Sequence, residues 1–297
     1  MAEPAPVEAM IDAHLHLWRL ADGWFGWNTP DLGPVHSDAS LGEIQPAMLA
    51  GGVAGALVVQ AADHPAETDR LLKFAGSEAS ILGVVGWLPV DDPADLHRQL
   101  RRWRAEPMLV GVRQLWHDHA DPAQLAAIGT LRGLEAVGAA GLPVDIPDAF
   151  PRLGQAVEAA VGSLPETLFV LDHCGKPPFG DAGGWPRWED WFVRLAVQSN
   201  VIIKLSGLFG GSGAGSPASE SELRRVVDLA QEHAGPDRIV IGTDCPMFRG
   251  RMSYAQCVSR LRDLISDWSP AKRLQALRGT ATRVYRLAST DCCVSCG

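Results

Sequence analysis

The sequence lacks the features that direct a chain to a membrane or a nucleic acid. It contains no run of about 18 apolar residues, so we expect no membrane-spanning helix. Lys and Arg form no basic clusters, and the net charge of −9 argues against a nucleic-acid or anionic-membrane partner. The first ten residues, MAEPAPVEAM, have neither a basic region nor an apolar core. We therefore expect no secretory signal.

The cysteines are few and unevenly placed. Cys174, Cys245 and Cys257 are far apart in the sequence, and the other three lie within the last six residues. Scattered cysteines in a long chain without a signal are typical of a reduced, cytoplasmic protein. Three thiols without a fourth ligand are weak evidence for a metal site, so we interpret the end of the chain as a frayed tail.

Eight short runs of apolar and β-branched residues alternate with helical segments. The runs are Met10–Ala13, Gly55–Gln60, Ile81–Leu88, Leu109–Arg113, Pro143–Ile146, Leu168–Asp172, Val201–Leu205 and Ile239–Ile241. Such runs are typical of strands buried on both faces of a parallel sheet. Eight strand–helix units predict an α/β fold, a TIM-like (β/α)8 barrel. The alternative, a doubly wound open sheet, normally has a Gly-rich fingerprint after its first strand, and this sequence has none there.

The domain organisation follows from the same pattern. We predict a single barrel domain over residues 10–287, an N-terminal extension over residues 1–9 and a flexible Cys-rich tail over residues 288–297. Residues 18–40 and 207–219 follow strands, so these loops are expected at the carboxyl end of the barrel, where active sites form. The second loop is rich in Gly and Ser but lacks the Lys-Ser/Thr ending of a phosphate-binding loop, and we interpret it as flexible.

Two histidines and an aspartate are candidates for a metal site. His14 and His16 come at the end of the first strand, and alternate strand residues share one face. Asp244 follows the eighth strand, which neighbours the first in a closed barrel. A carboxylate facing two neutral imidazoles can bind a metal or take a proton from water. The alternatives are solvated or core histidines and an aspartate that caps a turn.

Charged side chains end or interrupt three other strands. Arg113 closes the fourth strand, and its guanidinium suits a carboxylate or a carbonyl oxygen. His173 and Lys176 follow the sixth strand, where Asp172 either orients a ring or stabilises a turn. Lys204 lies inside the seventh strand, and we expect it in an internal ion pair rather than in a Schiff base.

Aromatic residues are concentrated in the predicted mouth loops. Trp27 and Trp116 belong to this group, and aromatic faces pack against small rings such as sugars. His117 belongs to a second His-x-His in the polar loop after the fourth strand. We expect Trp27, Trp116, His117 and Arg113 to contact the substrate, although core packing is the common role of a single tryptophan.

Seven segments in this order resemble one known lineage. They are IDAHLHLW, VVQAA, VVGWLP, VGVRQLW, VLDHCGKP, IKLSGL and VIGTDCP, and the resemblance covers residues 10–287. This pattern is similar to the amidohydrolase-2 lineage of the amidohydrolase superfamily. It resembles in particular the sugar-lactone hydrolase group, with L-fuconolactonase-like and L-rhamnonolactonase-like proteins and relatives that are 2-pyrone-4,6-dicarboxylate lactonases.

The resemblance implies a TIM-like barrel that hydrolyses a cyclic ester. On this pattern we expect Asp244 to activate water, with Arg113, His173 and Lys176 stabilising the oxyanion. It also implies His14, His16 and Asp244 as ligands of one divalent ion, zinc first, although the lineage includes metal-independent members. Because Arg113 is the only arginine at a strand end, we expect a neutral aldonolactone as the small-molecule substrate. A metal-dependent decarboxylase, a 2-pyrone dicarboxylate lactonase and a non-catalytic binder remain alternatives.

Overall fold

Eight parallel strands form the barrel that the sequence predicts. The structure is a computed structural model that describes residues 8–103, 105–210 and 217–288. The strands are β1 (Met10–Leu15), β2 (Val53–Val59), β3 (Ile81–Gly86), β4 (Leu109–Arg113), β5 (Val144–Ile146), β6 (Phe169–Leu171), β7 (Val201–Leu205) and β8 (Ile239–Ile241). They pair in sequence order, each parallel to the next. Each of the eight predicted runs overlaps one of these strands.

The last strand returns to the first, so the sheet curls into a ring. Leu15 and Cys245 form a parallel bridge beyond the end of β8. The amide of His16 donates to the carbonyl of Cys245, and the amide of Asp244 donates to that of His14, both at 2.7 Å. These bonds place the residues after β8 directly beside the end of β1.

Eight helices alternate with the strands. They are α1 (Leu41–Ala50), α2 (Pro65–Ala75), α3 (Pro93–Trp103), α4 (Ile128–Ala139), α5 (Gly154–Ser163), α6 (Trp185–Ala196), α7 (Glu220–His233) and α8 (Tyr254–Leu264). In α6, Trp185, Trp188, Trp191, Phe192 and Leu195 recur every three or four residues and are buried. A stripe with this spacing lies on one side of a helix and packs against the sheet. The first turn of α7 is stabilised by a capping box between Ser219 and Glu222.

The end of the described chain packs against the sheet as well. Helix α9 (Pro270–Leu274), a π-helical turn at Gln275–Gly279 and α10 (Thr280–Val284) follow α8. Apolar side chains of α10 and Tyr285 form one core cluster with strand residues such as Ile11 and Val240. The C-terminal segment thereby covers the end of the barrel opposite the strand carboxyl ends.

Three of the predicted segments lie wholly or largely outside the described residues. They are the N-terminal extension, the Cys-rich tail and the middle of the Gly/Ser-rich loop, residues 211–216. The part of the chain that the structure describes contains no helix that could span a lipid bilayer.

Candidate active site

Three imidazoles and one carboxylate meet at the carboxyl end of the barrel. His14 Nε2 lies 3.2 Å from His16 Nε2. The same Asp244 Oδ1 atom lies 3.7 Å from His14 Nε2, 3.4 Å from His16 Nε2 and 4.0 Å from His173 Nε2. The predicted approach of Asp244 to His14 and His16, at the end of β1, is therefore present, and His173 joins them from the end of β6.

The other ring nitrogens of these histidines have partners of their own. His16 Nδ1 lies 2.8 Å from the carbonyl oxygen of Val59, to which it donates. His173 Nδ1 lies 2.9 Å from Ser206 Oγ. His14 Nδ1 lies 3.4 Å from a carboxylate oxygen of Asp172. With each Nδ1 engaged, the Nε2 atoms remain to face Asp244.

This donor set fits a divalent cation. Ligands about 2.0–2.1 Å from a tetrahedral zinc ion are separated from one another by about 3.3 Å, close to the spacing of the Nε2 and Oδ1 atoms here. Among the described residues, two buried groups have ligand atoms within 4.8 Å of one another: His14, His16 and Asp244, and His14, Asp172 and His173. A carboxylate or a carbonyl behind each ligating imidazole is the usual support of such a site.

Burial determines the protonation of the two histidines at the end of β1. It lowers the pKa of His14 well below the ordinary histidine value and lowers the pKa of His16 as well. Both rings are therefore neutral near pH 7, which is the form that a metal ligand requires.

Asp12, which is not among the predicted site residues, connects β1 to the residues after β8 by hydrogen bonds. Its carboxylate accepts hydrogen bonds from the amide and the hydroxyl of Thr243, at 2.8 and 2.7 Å. It also accepts from the hydroxyl of Tyr254, at 2.9 Å, and from the amide of His14, at 3.2 Å. The sequence signal was an acidic residue inside an otherwise apolar run, and in the structure its side chain is fully buried. These bonds hold His14 and Asp244 side by side.

The backbone conformation of the turn after β6 directs His173 toward Asp244. His173, Cys174, Gly175 and Lys176 all have positive φ, between 52° and 68°, in the left-handed region. Non-glycine residues adopt this conformation at a cost and do so mainly where function requires it. The turn brings His173 to Asp244, which itself has a φ of 61°.

Arg113 and Asp172 connect this cluster to the interior of the barrel. Arg113 Nε lies 3.1 Å from Asp172 Oδ2, in an ion pair that lacks hydrogen-bond angles. Arg113 also donates to the carbonyl of Gln60 at 3.1 Å, and Gln60 donates back to the carbonyl of Arg113 at 3.0 Å. The internal ion pair expected for Lys204 is confirmed, because its ammonium contacts both Asp145 and Asp172.

A cavity of about 880 Å³ opens over the cluster. His16, His173 and Asp244 line it, together with four other predicted residues: Trp27, Arg113, His117 and Lys176. Trp27 is fixed by a 2.7 Å hydrogen bond from its indole nitrogen to the carbonyl of Ala61. Lys176 is paired with Asp148, which also lines the cavity.

Trp116 occupies a different place from the other predicted substrate contacts. The turn after β4 exposes Leu115 and His117 to the cavity, whereas Trp116 points into the hydrophobic core and is 1% exposed. It does not line the cavity. We therefore no longer expect Trp116 to contact substrate, and we interpret it as a packing residue.

Three arginines that are not among the predicted site residues also line the cavity. Arg187 comes from α6, Arg251 from the loop after β8 and Arg260 from α8. Arg260 pairs with Glu220 at 3.0 Å, and the Arg187 guanidinium lies 5.9 Å from the centre of the Phe150 ring. Only the folding of distant helices onto one opening places these side chains together.

Known proteins share this architecture over nearly the whole chain. Residues 11–287 match the amidohydrolase family designated Amidohydro_2. An L-fucono-1,5-lactonase from Burkholderia multivorans is 31% identical, with 93% of this chain and 96% of the relative covered. An L-fucono-1,5-lactonase from Burkholderia ambifaria is 28% identical, with 93% and 95% covered.

A solved structure agrees closely with the fold. It is an amidohydrolase from Burkholderia multivorans with bound zinc, 30% identical, with a TM-score of 0.85 over 94% of this chain and 100% of the other. The family match and the extent of this similarity remove the ambiguity that single motifs leave. The chain belongs to the amidohydrolase-2 family and folds as a TIM-like (β/α)8 barrel.

Proposed function

We propose that this protein is a lactonase that opens the ring of a sugar lactone by attack of water. The observation that carries the proposal is the convergence of three Nε2 atoms on Asp244 Oδ1 beneath a cavity lined by Arg113. Similarity to two L-fucono-1,5-lactonases supports the same reaction class. The similarity covers nearly the entire length of this chain and of both relatives.

Asp244 is the base in this proposal. Its carboxylate removes a proton from water while the water oxygen adds to the lactone carbonyl carbon. The carbonyl becomes an oxyanion, and the tetrahedral intermediate then breaks its ring carbon–oxygen bond. The protonated Asp244 returns its proton to the departing alkoxide, so the product is an open-chain hydroxy acid and the carboxylate is regenerated.

Cations and a hydrogen-bond donor on the cavity wall stabilise the oxyanion. Arg113 is held by Asp172 and by the carbonyl of Gln60, so its guanidinium is already oriented before the substrate binds. His173 faces Asp244 across the site, where it can donate to the oxyanion. Lys176 lies on the same wall as a further positive charge.

His14, His16 and Asp244 are the residues that hold a divalent ion, zinc in first place, in this proposal. When bound there, such an ion polarises the carbonyl and lowers the pKa of water. Neutral imidazoles with buried Nδ1 partners suit this role. Metal analysis before and after chelation, paired with activity, tests it.

A neutral aldonolactone remains the substrate that we propose. Trp27 offers an aromatic surface to a sugar ring, and the two relatives named above are L-fucono-1,5-lactonases. A second candidate is a lactone with a carboxylate substituent, because Arg187 and Arg251 also line the cavity.

A panel of lactones separates these candidates. Neutral five- and six-membered sugar lactones and 2-pyrone carboxylates are incubated with the enzyme, and acid release is followed with a pH indicator. We expect hydrolysis of at least one sugar lactone well above the spontaneous rate. Activity confined to the pyrone carboxylates would refute the neutral preference, and carbon dioxide release without ring opening would favour a decarboxylase.

Replacement of the base tests the mechanism. Asp244→Asn keeps the size of the side chain but removes its basicity, so kcat should fall by at least about 100-fold. The variant should unfold at nearly the wild-type temperature. A rate within tenfold of wild type would show that Asp244 is not the base.

A further inference from the structure

Lys204 lies beneath the histidine cluster, inside the barrel. It is the penultimate residue of β7, and its side chain is fully buried. The ammonium contacts the carboxylate of Asp145 and lies 2.8 Å from Asp172 Oδ1. It also lies 3.3 Å from His14 Nδ1. Lys204 does not line the cavity, so it has no direct route to a substrate.

The two carboxylates extend this contact in opposite directions. Asp145 accepts hydrogen bonds from the hydroxyl of Tyr285, at 3.0 and 3.1 Å, at the end of the barrel that α10 covers. Asp172 leads to the cavity, through its contacts with Arg113 and His14. A continuous line of polar groups thus runs from the C-terminal segment to the candidate active site, with Lys204 at its centre.

The burial of three ionisable groups is energetically costly, and this cost suggests a role in the candidate active site. Asp145, Asp172 and Lys204 are all fully buried. Apolar residues that replace a buried ion pair often leave stability unchanged or raise it, so a buried ion network is weak evidence for a stabilising role. Its location directly behind Arg113 and His14 indicates a role in their placement instead.

The charges of the network are mutually supporting. Burial alone would lower the pKa of Lys204, but Asp145 and Asp172 outweigh it and raise that pKa. Burial likewise opposes the ionisation of Asp172, yet Lys204, His14 and Arg113 hold the pKa of Asp172 well below its usual range. Both Lys204 and Asp172 are therefore charged near neutral pH.

We propose that Lys204 is a positioning residue, whose ammonium fixes Asp172 where that carboxylate orients Arg113 toward the cavity and His14 toward Asp244. The inference rests on the proposed lactonase function, which assigns roles to Arg113, His14 and Asp244. The contacts of Lys204 explain how these side chains are positioned. It excludes a covalent role for this lysine, because two carboxylates and His14 surround the ammonium.

The test uses one single and one double variant of the full chain. Lys204→Met leaves Asp145 and Asp172 without their shared counter-charge, so we expect a large fall in the unfolding temperature or failure to fold. Lys204→Met/Asp145→Asn removes the ammonium together with one of its two carboxyl partners and should recover most of that stability. The matched control is Arg194→Met/Glu158→Gln, which removes an exposed pair with a 2.7 Å contact.

Activity and metal affinity then separate positioning from folding. In the double variant we expect kcat to be about 10–100-fold lower, with KM within about threefold of wild type, and Co²⁺ to bind about tenfold more weakly. The control should match wild type in every measurement. A double variant with wild-type kcat would overturn the proposal, and so would one that remains as unstable as Lys204→Met, because Lys204 would then serve folding alone.

A crystal structure of the double variant makes the test independent of the reaction. We expect Asp172 to leave its 3.1 Å contact with Arg113 Nε and the Arg113 side chain to shift. Unchanged positions of both side chains would overturn the proposal. If wild-type protein hydrolysed no lactone, the proposed function would fail, while these positions would still decide the role of Lys204.

Discussion

Gly207 is the position at which a single methyl group should separate activity from stability. It follows β7 with a φ of +62°, and a Cβ atom built there would lie 2.5 Å from His173 Nδ1 and 3.2 Å from Asp244 Oδ2. Ordinary contacts of a Cβ atom begin at 3.4 Å. Gly207→Ala therefore requires the His173 ring to move by about 1 Å, and a displacement of this size costs about 100-fold in rate.

The backbone adds a cost that a control variant measures. An alanine in the left-handed region is destabilised relative to glycine by about 1 kcal/mol. Gly23 has a φ of +76° and has no atom within 4 Å of its built Cβ, so Gly23→Ala imposes the strain without the collision. We expect Gly23→Ala to lose about 1 kcal/mol of unfolding free energy and to keep its activity.

The assay combines thermal unfolding with lactone hydrolysis for both variants and wild type. Gly207→Ala should unfold at a temperature close to that of Gly23→Ala while its kcat/KM falls about 100-fold. If Gly207→Ala retained a third or more of wild-type kcat/KM, His173 and Asp244 would not need their observed positions. An equal loss in Gly23→Ala would show that backbone strain, rather than contact with His173, causes the effect.

Three further predictions concern pH, the cavity wall and the metal. Burial raises the pKa of Glu67 from 4.5 to about 7, so its contribution to stability is present below pH 4.5 and is lost by pH 7. Relative to Glu67→Gln, the wild-type unfolding free energy from chemical denaturation should fall by about 3 kcal/mol over that window. The same pH dependence of the unfolding free energy in both proteins would contradict this. Trp27→Phe should raise KM several-fold at nearly constant kcat, whereas Trp116→Phe should lower the unfolding free energy by about 2 kcal/mol without changing KM. Steady-state kinetics and chemical denaturation distinguish the two variants, and a higher KM for Trp116→Phe would show that Trp116 does contact the substrate. Because an ion bound at His14, His16 and Asp244 takes part in the proposed reaction, chelation should reduce activity at least tenfold and added zinc should restore it. Full activity in protein shown to be metal-free by elemental analysis would mean that these histidines act as hydrogen-bonding groups rather than as metal ligands.

The grouping of the main site residues was predictable because active sites of parallel barrels lie at the carboxyl ends of the strands. Strand carboxyl ends meet at one end of the barrel, so His14, Arg113, His173 and Asp244 could be grouped from their positions after apolar runs. The closed ring made Asp244 a neighbour of His14 as soon as eight strands were recognised. Both inferences need only the period of the sequence and the order of its elements.

Other features could not be predicted, because they depend on which atoms meet after folding. The fastening of β1 to β8 by Asp12 requires Thr243 and Tyr254, which are more than 230 positions away in the sequence. The orientation of Trp116 into the core depends on a local turn of the backbone rather than on residue type. Gly207 resembles the other glycines of its loop until His173 is seen against it.

The sequence by itself determined the eight-stranded architecture, the family and the residues that end each strand, because apolar periodicity and motif order are properties of the linear chain. Only the tertiary structure decided how Lys204, Asp145 and Asp172 join into one buried line and which tryptophan and arginine side chains reach the cavity. The physical reason is that ion pairs and cavity walls arise from distances of a few ångströms between residues far apart in sequence, and these distances exist only in the folded barrel.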